Sequence, residues 1–406
     1  MRRVCGRSIK GKMMNISGWL SGGVVRGGLD ESPERKVDWL ELFFDLFFVV
    51  IISQLAHGLA DNPTWAGFRE FVFLFASTWW VWLAGTYFNE RFRFPGTANT
   101  IFTFLQMLPV AGMAIFVHHG MGDNFVPFEI CFLTSRIMLT LMWFRGGLNN
   151  PHVAPLTNRV AITFIPALFL YLLAIFNNPP IRYLIWVAGL ITEVMTPVVA
   201  HTGIKIALPK FGASWLAERY GLFILIVMGE TLVGVIRGAS EATQVSFTTF
   251  VTAILGLALS FGVFRIYFDF IGRRNPRKPM WWMLTWSNLH FLLVMSIVVT
   301  GVGLLRFVQL PDLWQPCEQI RILLAGATAT TLIIIALLET TMQPGEGPNL
   351  HPVRSPLFKI IAGLIAAALC LWATSLAPLP LLLILLALTY SHLLYHPGWE
   401  GVDTKG

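Results

Sequence analysis

The sequence predicts an all-α integral membrane protein with about twelve transmembrane helices, and three observations support this fold class. Hydrophobic residues make up 55% of the 406-residue chain, while charged residues make up only 13%, about half the share found in soluble proteins. The apolar residues form long runs, and a helix of about 20 apolar residues spans the hydrocarbon core of a bilayer. Lys and Arg lie mainly between these runs, so the net charge of +7 reflects membrane topology and not a nucleic-acid partner.

Twelve apolar runs are long enough to form helices. They cover residues 38–59, 68–89, 98–118, 125–145, 160–177, 182–201, 216–236, 247–271, 283–306, 319–341, 357–375 and 379–396. We predict an N-terminal tail at 1–36, a first six-helix half at 37–201, a second half at 202–396 and a C-terminal tail at 397–406. The N-terminal tail has no apolar segment followed by a cleavage site, so a flexible tail is expected and a signal peptide is not.

The distribution of Lys and Arg predicts the orientation of the helices. When successive loops are assigned to alternate sides, 22 of the 29 Lys and Arg residues share a side with the two termini, and 5 lie on the opposite side. The remaining two, Arg136 and Arg265, fall within spans. Because positive residues favour the cytoplasmic side, both termini are predicted to be cytoplasmic, in a multi-pass protein of the cell membrane.

Two pairs of similar positions indicate a parallel repeat of six plus six helices. Glu41 and Glu218 open spans one and seven and are 177 residues apart. The segments Tyr87-Phe88-Asn89 and Tyr267-Phe268-Asp269 close spans two and eight and are 180 residues apart. Both halves would start on the same side of the membrane, which makes the predicted repeat parallel.

Two sequence blocks carry a resemblance to a known family. The first is Glu41–Leu46, followed by Gln54, Leu55 and His57, and the second runs from Glu218 to Thr231. These blocks and their spacing resemble the bacterial low temperature requirement protein A family over nearly the whole chain. That family is named for a cold-growth phenotype, so the resemblance implies a membrane fold more than a biochemical activity.

The first block is also distantly similar to the Phe-Ser-Asp helix of the lysosomal potassium channel family, whose members are built from six-span repeats. Phe44 stands where that motif has Ser, and Leu222 stands where a second Asp would fall in span seven. This similarity implies an alternative function as a cation channel, in which helices one and seven of a homodimer line one pore.

Polar residues of span one are expected to have different roles at different depths. Asp38 and Glu41 have the spacing of an N-terminal capping box. Asp45 lies one turn deeper, and an ionised carboxylate in lipid costs about 3 kcal/mol. We therefore expect Asp45 either to gate the cytoplasmic side or to form a salt bridge with a neighbouring helix. Gln54 and His57 are expected to form hydrogen bonds between helices.

Three further residues are structural or gating candidates nearer the helix ends. Glu218 opens span seven beside Arg219, which the loop assignment counts among the cytoplasmic positive residues. Arg265 and Asp269 are four residues apart in span eight, a spacing that predicts an ion pair on one helix face.

Four residues are predicted near the middle of the bilayer, namely Arg136, Glu193, Glu230 and His290. Ionisable residues at this depth usually face the bundle interior and mark ion pathways or proton relays. The alternative for Arg136 and Glu193 is a salt bridge that only locks two helices together. Gly229, next to Glu230, allows a close approach between helices, and the alternative is ordinary packing.

These residues favour a transporter-like protein that moves a small ion or solute, with coupling to protons through the carboxylates. Glu230 and Glu193 would bind or relay the cation, Arg136 would set their charge state, and Asp45 would gate the cytoplasmic side. The alternatives are the dimeric channel and a membrane stress-adaptation protein without transport. The sequence has no P-loop, GxGxxG, GxSxG or HExxH motif, so neither an enzyme, a cofactor nor a metal site is predicted.

Overall fold

The computed structural model describes residues 24–25, 36–93, 97–148, 151–196, 199, 213–241, 246–272, 274–277, 280–343 and 354–394. Within these ranges the chain forms twelve α-helices and one antiparallel pair of two-residue strands, β1 (Val24–Val25) and β2 (Phe92–Arg93). The helices are α1 (Trp39–Asp61), α2 (Trp65–Arg91), α3 (Thr97–Phe116), α4 (Phe125–Gly147), α5 (Ala154–Ile175), α6 (Ile181–Val194), α7 (Ala213–Ser240), α8 (Phe247–Phe270), α9 (Met280–Val308), α10 (Glu318–Thr341), α11 (Arg354–Trp372) and α12 (Pro378–Leu394).

Each of the twelve predicted spans overlaps one of these helices. In the described part of the chain, nine helices are long and apolar enough to cross a membrane, so the chain is a multi-pass membrane protein. The apolar parts of α3 (Thr100–Phe116) and α12 (Pro378–His392) are shorter, and α6 has 14 described residues. Twelve crossings, the repeat and the cytoplasmic termini stay predictions, and nearly all of both predicted tails lies outside the described residues.

The first helix begins where the sequence predicts. The backbone N–H of Leu40 donates to Asp38 Oδ1 at 3.3 Å, and the N–H of Asp38 donates to Glu41 Oε2 at 3.2 Å. This reciprocal pair is the capping box, and it satisfies backbone donors that have no partner within the first turn. The structural role predicted for Glu41 is therefore confirmed.

The described residues form two compact units. One unit contains residues 24–25, 87–93, 97–106, 136–148, 151–196 and 199, and the other contains 36–86, 107–135 and the described residues from 213 onward. In the first unit, Gly189 of α6 lies against the ring of Tyr171 in α5, which is fully buried. In the second unit, α7 to α12 share an apolar core that includes Leu259, Leu304 and Leu324. The predicted halves, 37–201 and 202–396, stay a prediction.

Candidate functional site

The two family-like blocks meet through a buried salt bridge between α1 and α7. Arg219 Nη2 lies 2.8 Å from Asp45 Oδ1, and Trp82 Nε1 of α2 donates to the same oxygen at 2.8 Å. The side chains of Asp45 and Arg219 are 0% and 1% exposed. The salt-bridge alternative for Asp45 is thus confirmed, and its partner is a residue that the loop count had assigned to the cytoplasmic surface.

Glu41 adds a second negative charge near this pair. It interacts electrostatically with Asp45 and with Arg219. Asp45 Oδ2 and the Nε and Nη1 atoms of Arg219 are buried and have no hydrogen-bond partner among the described residues. The guanidinium carbon of Arg219 also lies 5.5 Å from the ring centroid of Trp215 and 5.9 Å from that of Trp82. Aromatic faces of this kind stabilise a desolvated cation.

An aromatic layer surrounds the salt bridge and includes His290. The ring centroids of Trp82 and Phe223 are 4.4 Å apart, and those of Tyr220 and His290 are 4.8 Å apart. His290 is fully buried, with Nδ1 2.8 Å from the carbonyl oxygen of Trp286 and Nε2 3.2 Å from the hydroxyl of Tyr267. Because a carbonyl oxygen only accepts, Nδ1 carries the proton and Nε2 accepts from Tyr267. Both ring nitrogens are engaged, which fits a structural role for His290.

Glu230 has a different environment, farther along the same two helices. The hydroxyl of Ser53 donates to Glu230 Oε1 at 2.6 Å, and the pair is only partly buried. Glu230 also borders a cavity of about 30 Å³ between α1, α7 and α9, and a cavity needs about 10–15 Å³ to hold one water molecule. No basic side chain forms a salt bridge with Glu230 within the described residues.

Three glycines on α7 and α9 near Glu230 differ in how closely a neighbouring helix approaches them. A Cβ added to Gly301 would lie 3.1 Å from the Thr231 side chain, whereas Cβ atoms added to Gly229 and Gly234 would have no heavy atom within 4 Å. The close helix approach that Gly229 allows is therefore not present in the described part of the chain. The small residue that brings two helices together here is Gly301, and Gly234 borders open space.

The C-terminal ends of α1 and α7 are joined by a chain of polar contacts. His57 Nε2 lies 3.2 Å from Arg237 Nη1, and Arg237 Nε lies 2.6 Å from Glu241 Oε1. The contact between helices predicted for His57 is confirmed. Gln54 instead lines a cavity of about 140 Å³ that is also bordered by Asp61 and Glu70. Among the described residues, no group of three or more His, Cys, Asp or Glu side chains could hold a metal ion.

Arg136 and Glu193 form a separate buried pair in the other unit. Arg136 Nε lies 2.9 Å from Glu193 Oε1, and the side chains are 1% and 0% exposed. The Arg136 guanidinium also lies 5.2 Å from the ring centroid of Phe164. The salt bridge expected between these two residues is present, and a role for the pair in transport stays a prediction. The four predicted midplane residues therefore belong to three separate sets of contacts.

The remaining candidates lie nearer the helix ends. Arg265 Nη2 lies 2.8 Å from Asp269 Oδ2, which confirms the predicted ion pair on α8. Glu218 is exposed, although Arg219 beside it is buried.

Sequence reasoning missed a further buried ion pair that joins α10 to α11. Lys359 Nζ lies 2.9 Å from Glu339 Oε2 and 2.7 Å from the Ser355 hydroxyl, and it sits 3.4 Å from the ring centroid of Phe270. Both charged residues fall at the predicted ends of spans, where a charge ordinarily faces water. The spacing of Ser355 and Lys359, four residues apart, was the available signal, since it places both on one helix face.

Comparison with known proteins agrees with the resemblance of the two blocks. The model of the family described as "Bacterial low temperature requirement A protein (LtrA)" matches residues 36–394. An uncharacterized protein of Rhizobium meliloti (strain 1021) is 25% identical over 296 residues, covering 68% of this chain and 70% of that protein. The family match takes in all twelve helices and both blocks that form the Asp45–Arg219 contact. The chain is therefore a member of the bacterial low temperature requirement A (LtrA) protein family.

Proposed function

We propose that this LtrA family protein is a secondary carrier of the cell membrane, and that Glu230 is the group that exchanges a proton or small cation during transport. One observation carries the proposal: Glu230 is a carboxylate deep in an apolar helix whose hydrogen-bond partner is a neutral hydroxyl and which borders a cavity. Arg237 interacts with it electrostatically but forms its salt bridge with Glu241. Asp45, Glu193 and Glu339 each lie within 2.9 Å of a basic nitrogen instead. A carboxylate without a fixed counterion is free to take up a proton or cation and release it.

The cavity beside Glu230 supports access from the predicted outer side. Ala60 and Leu305 line it together with Glu230. Ala60 is one residue from the end of α1, and Leu305 is three residues from the end of α9. The cavity therefore lies on the side of Glu230 that faces the helix ends assigned by the loop charges to the outer face, and at about 30 Å³ it holds about one water molecule.

The Asp45–Arg219 pair supports closure on the predicted cytoplasmic side. Asp45 is eight residues before Ser53 on α1, and Arg219 is eleven residues before Glu230 on α7, about 12 and 16 Å along the helix axes. The aromatic layer of Trp82, Tyr220 and Phe223 lies at the level of the salt bridge. In the proposed cycle, inward release requires this pair to separate, so Asp45 is the cytoplasmic gate.

The test is ion flux in proteoliposomes. Glu230→Gln keeps the size and the hydrogen-bonding ability of the side chain but cannot change charge. We expect it to abolish proton flux reported by internal pyranine, or rubidium uptake, while the yield of monodisperse protein stays unchanged. Asp123→Asn is the control, since Asp123 is an exposed carboxylate outside the helices and its loss should leave flux intact. Equal flux through wild type and Glu230→Gln would remove the role assigned to Glu230.

The dimeric channel is the second candidate, and it depends on whether a second copy or lipid covers the exposed apolar stripes on α1 and α7. Phe43 and Val50 on α1 are 54% and 50% exposed, and Val233 and Ile236 on α7 are 54% and 61% exposed. A second copy could cover these stripes and bring both pairs of helices together. Unitary currents in a planar bilayer, together with a dimeric mass in detergent, would support the channel. Saturable flux through a monomer would support the carrier.

A further inference from the structure

A second cavity, larger than the one beside Glu230, is separate from the Glu230 site. It has a volume of about 480 Å³ and lies between the α1–α2 connection, α2, α9 and α10. The two cavities share no lining residue. Its volume falls within the range of about 300–1,000 Å³ that is usual for pockets binding small organic ligands.

The cavity is deep in the direction of the membrane normal. Its lining includes Glu318, the first residue of α10, and Thr330, twelve residues further along the same helix. Twelve residues of α-helix span about 18 Å, and the hydrocarbon core of a bilayer is about 30 Å thick. The cavity therefore runs from the predicted outer boundary to about the middle of the bilayer, the depth of one lipid leaflet.

The polarity of the lining changes along this depth. The deeper part is lined mainly by apolar side chains, including Met295 and Val299. Its two hydroxyls, on Ser296 and Thr330, donate to backbone carbonyls of their own helices. Thr64, Trp65, Glu318 and Gln319 lie where the helices end. An apolar cavity with a polar mouth is complementary to an amphiphile, because the alkyl chain leaves water while the head group stays in contact with it.

The exposed charged group at the mouth is a carboxylate. Glu318 is the one charged residue in the lining, and its side chain is 77% exposed. Arg321 Nη2 lies 3.8 Å from Glu318 Oε1, but the Arg321 side chain is only 7% exposed and is not part of the lining. The ring of Trp65, which is 71% exposed, also borders the mouth. A carboxylate beside an aromatic face is the combination that recognises organic cations.

We propose that this cavity binds a single-chain amphiphile with a cationic head group, such as a long-chain amine or an alkyl quaternary ammonium compound. The alkyl chain lies between α9 and α10, and the head group lies between the Glu318 carboxylate and the Trp65 ring. An anionic amphiphile of the same chain length is disfavoured, because its head group meets the Glu318 carboxylate.

A free thiol in the lining provides the readout. Cys370 borders the cavity, so an occupied cavity slows its reaction with methyl methanethiosulfonate. The full-length protein, with Cys5, Cys131 and Cys317 replaced by Ala, is placed in nanodiscs of digalactosyldiacylglycerol, whose head groups are uncharged. We expect dodecyltrimethylammonium to slow the labelling of Cys370 in a saturable manner, and dodecyl sulfate to have little effect.

Two variants separate the head-group site from the chain site. Glu318→Gln should raise the apparent dissociation constant of dodecyltrimethylammonium about threefold, the size expected when an exposed ion pair is lost. The matched control Asp123→Asn removes an exposed carboxylate that does not line the cavity and should change nothing. Ala327→Leu fills the deeper part of the cavity and should abolish protection, and Thr330→Leu serves the same purpose if the first variant does not fold.

The outcomes that overturn the proposal are distinct. Equal protection by dodecyl sulfate, or an unchanged dissociation constant in Glu318→Gln, overturns the cationic head-group site. If neither amphiphile slows the labelling of Cys370, the proposed binding site is overturned. Neither result affects the role proposed for Glu230, because no Glu230 contact is part of this cavity.

Discussion

Asp45 and Glu230 are both carboxylates within apolar helices, and their neighbours give them different chemistry. Asp45 accepts from Arg219 and Trp82 at 2.8 Å and has no exposed surface. Glu230 accepts from the Ser53 hydroxyl and borders a cavity. A buried ion pair depends on both partners, because removing one leaves the other charged and without compensation. A carboxylate held by a neutral hydroxyl carries no such constraint.

Removing one partner of the Asp45–Arg219 pair is expected to destabilise the fold strongly. Asp45→Ala leaves the Arg219 guanidinium buried and unpaired, so we expect a loss of about 3–5 kcal/mol in the free energy of unfolding. Unfolding of the purified protein in mild detergent measures the change. The double variant Asp45→Leu with Arg219→Leu removes both charges and should be more stable than Asp45→Ala. If Asp45→Ala unfolds like the wild type, Arg219 has another source of compensation.

Among the helices, alanine substitutions at two glycines are expected to change stability in opposite directions. A Cβ on Gly189 of α6 would lie 2.6 Å from a ring carbon of Tyr171, whereas a Cβ on Gly229 of α7 would meet no heavy atom within 4 Å. Gly189→Ala should therefore destabilise the α5–α6 contact by about 1–3 kcal/mol. Gly229→Ala should be neutral or stabilise by up to about 1 kcal/mol, the gain in helix propensity.

Thermal unfolding of the two variants side by side checks this pair of predictions. Both substitutions add one methyl group to a helix, so each serves as the control for the other. Equal shifts in Tm would mean that helix propensity, and not the Tyr171 contact, decides the effect at Gly189.

The positions of the helices could be predicted from the sequence, because the length of an apolar run and the Asp38–Glu41 cap are local properties. The partners of the charged residues could not, because partners are set by helix packing. Arg219 illustrates the difference. It lies near the start of an apolar run, so a count of loop charges assigns it to the surface. In the structure it is buried against Asp45 of α1, which is 174 positions away in the sequence. The packing around Gly229 could not be predicted for the same reason, since a glycine allows a close helix approach without requiring it.

Across the molecule, the contacts on which the proposed carrier mechanism depends lie between α1 and α7. Asp45–Arg219, Ser53–Glu230 and His57–Arg237 are successive contacts along this pair of helices. Ser53 and Glu230 are 177 residues apart, the same separation as Glu41 and Glu218 in the predicted parallel repeat. Contacts between equivalent positions are expected where two repeated helices meet at a pseudo-two-fold axis, so this contact is consistent with the repeat.

The direction of the carrier depends on membrane orientation, and single cysteines can measure it. The excess of Lys and Arg on the side of the termini predicts that Asp123 and Asp312 lie outside the cell and that His152 lies inside. All three positions are exposed, so cysteines placed there in a background without native cysteines should react freely. In intact cells a membrane-impermeant maleimide should label Asp123→Cys and Asp312→Cys, and it should label His152→Cys only after permeabilisation. The opposite pattern would turn the Glu230 cavity toward the cytoplasm and make the Asp45–Arg219 pair an outer gate, reversing the sequence of steps proposed for transport.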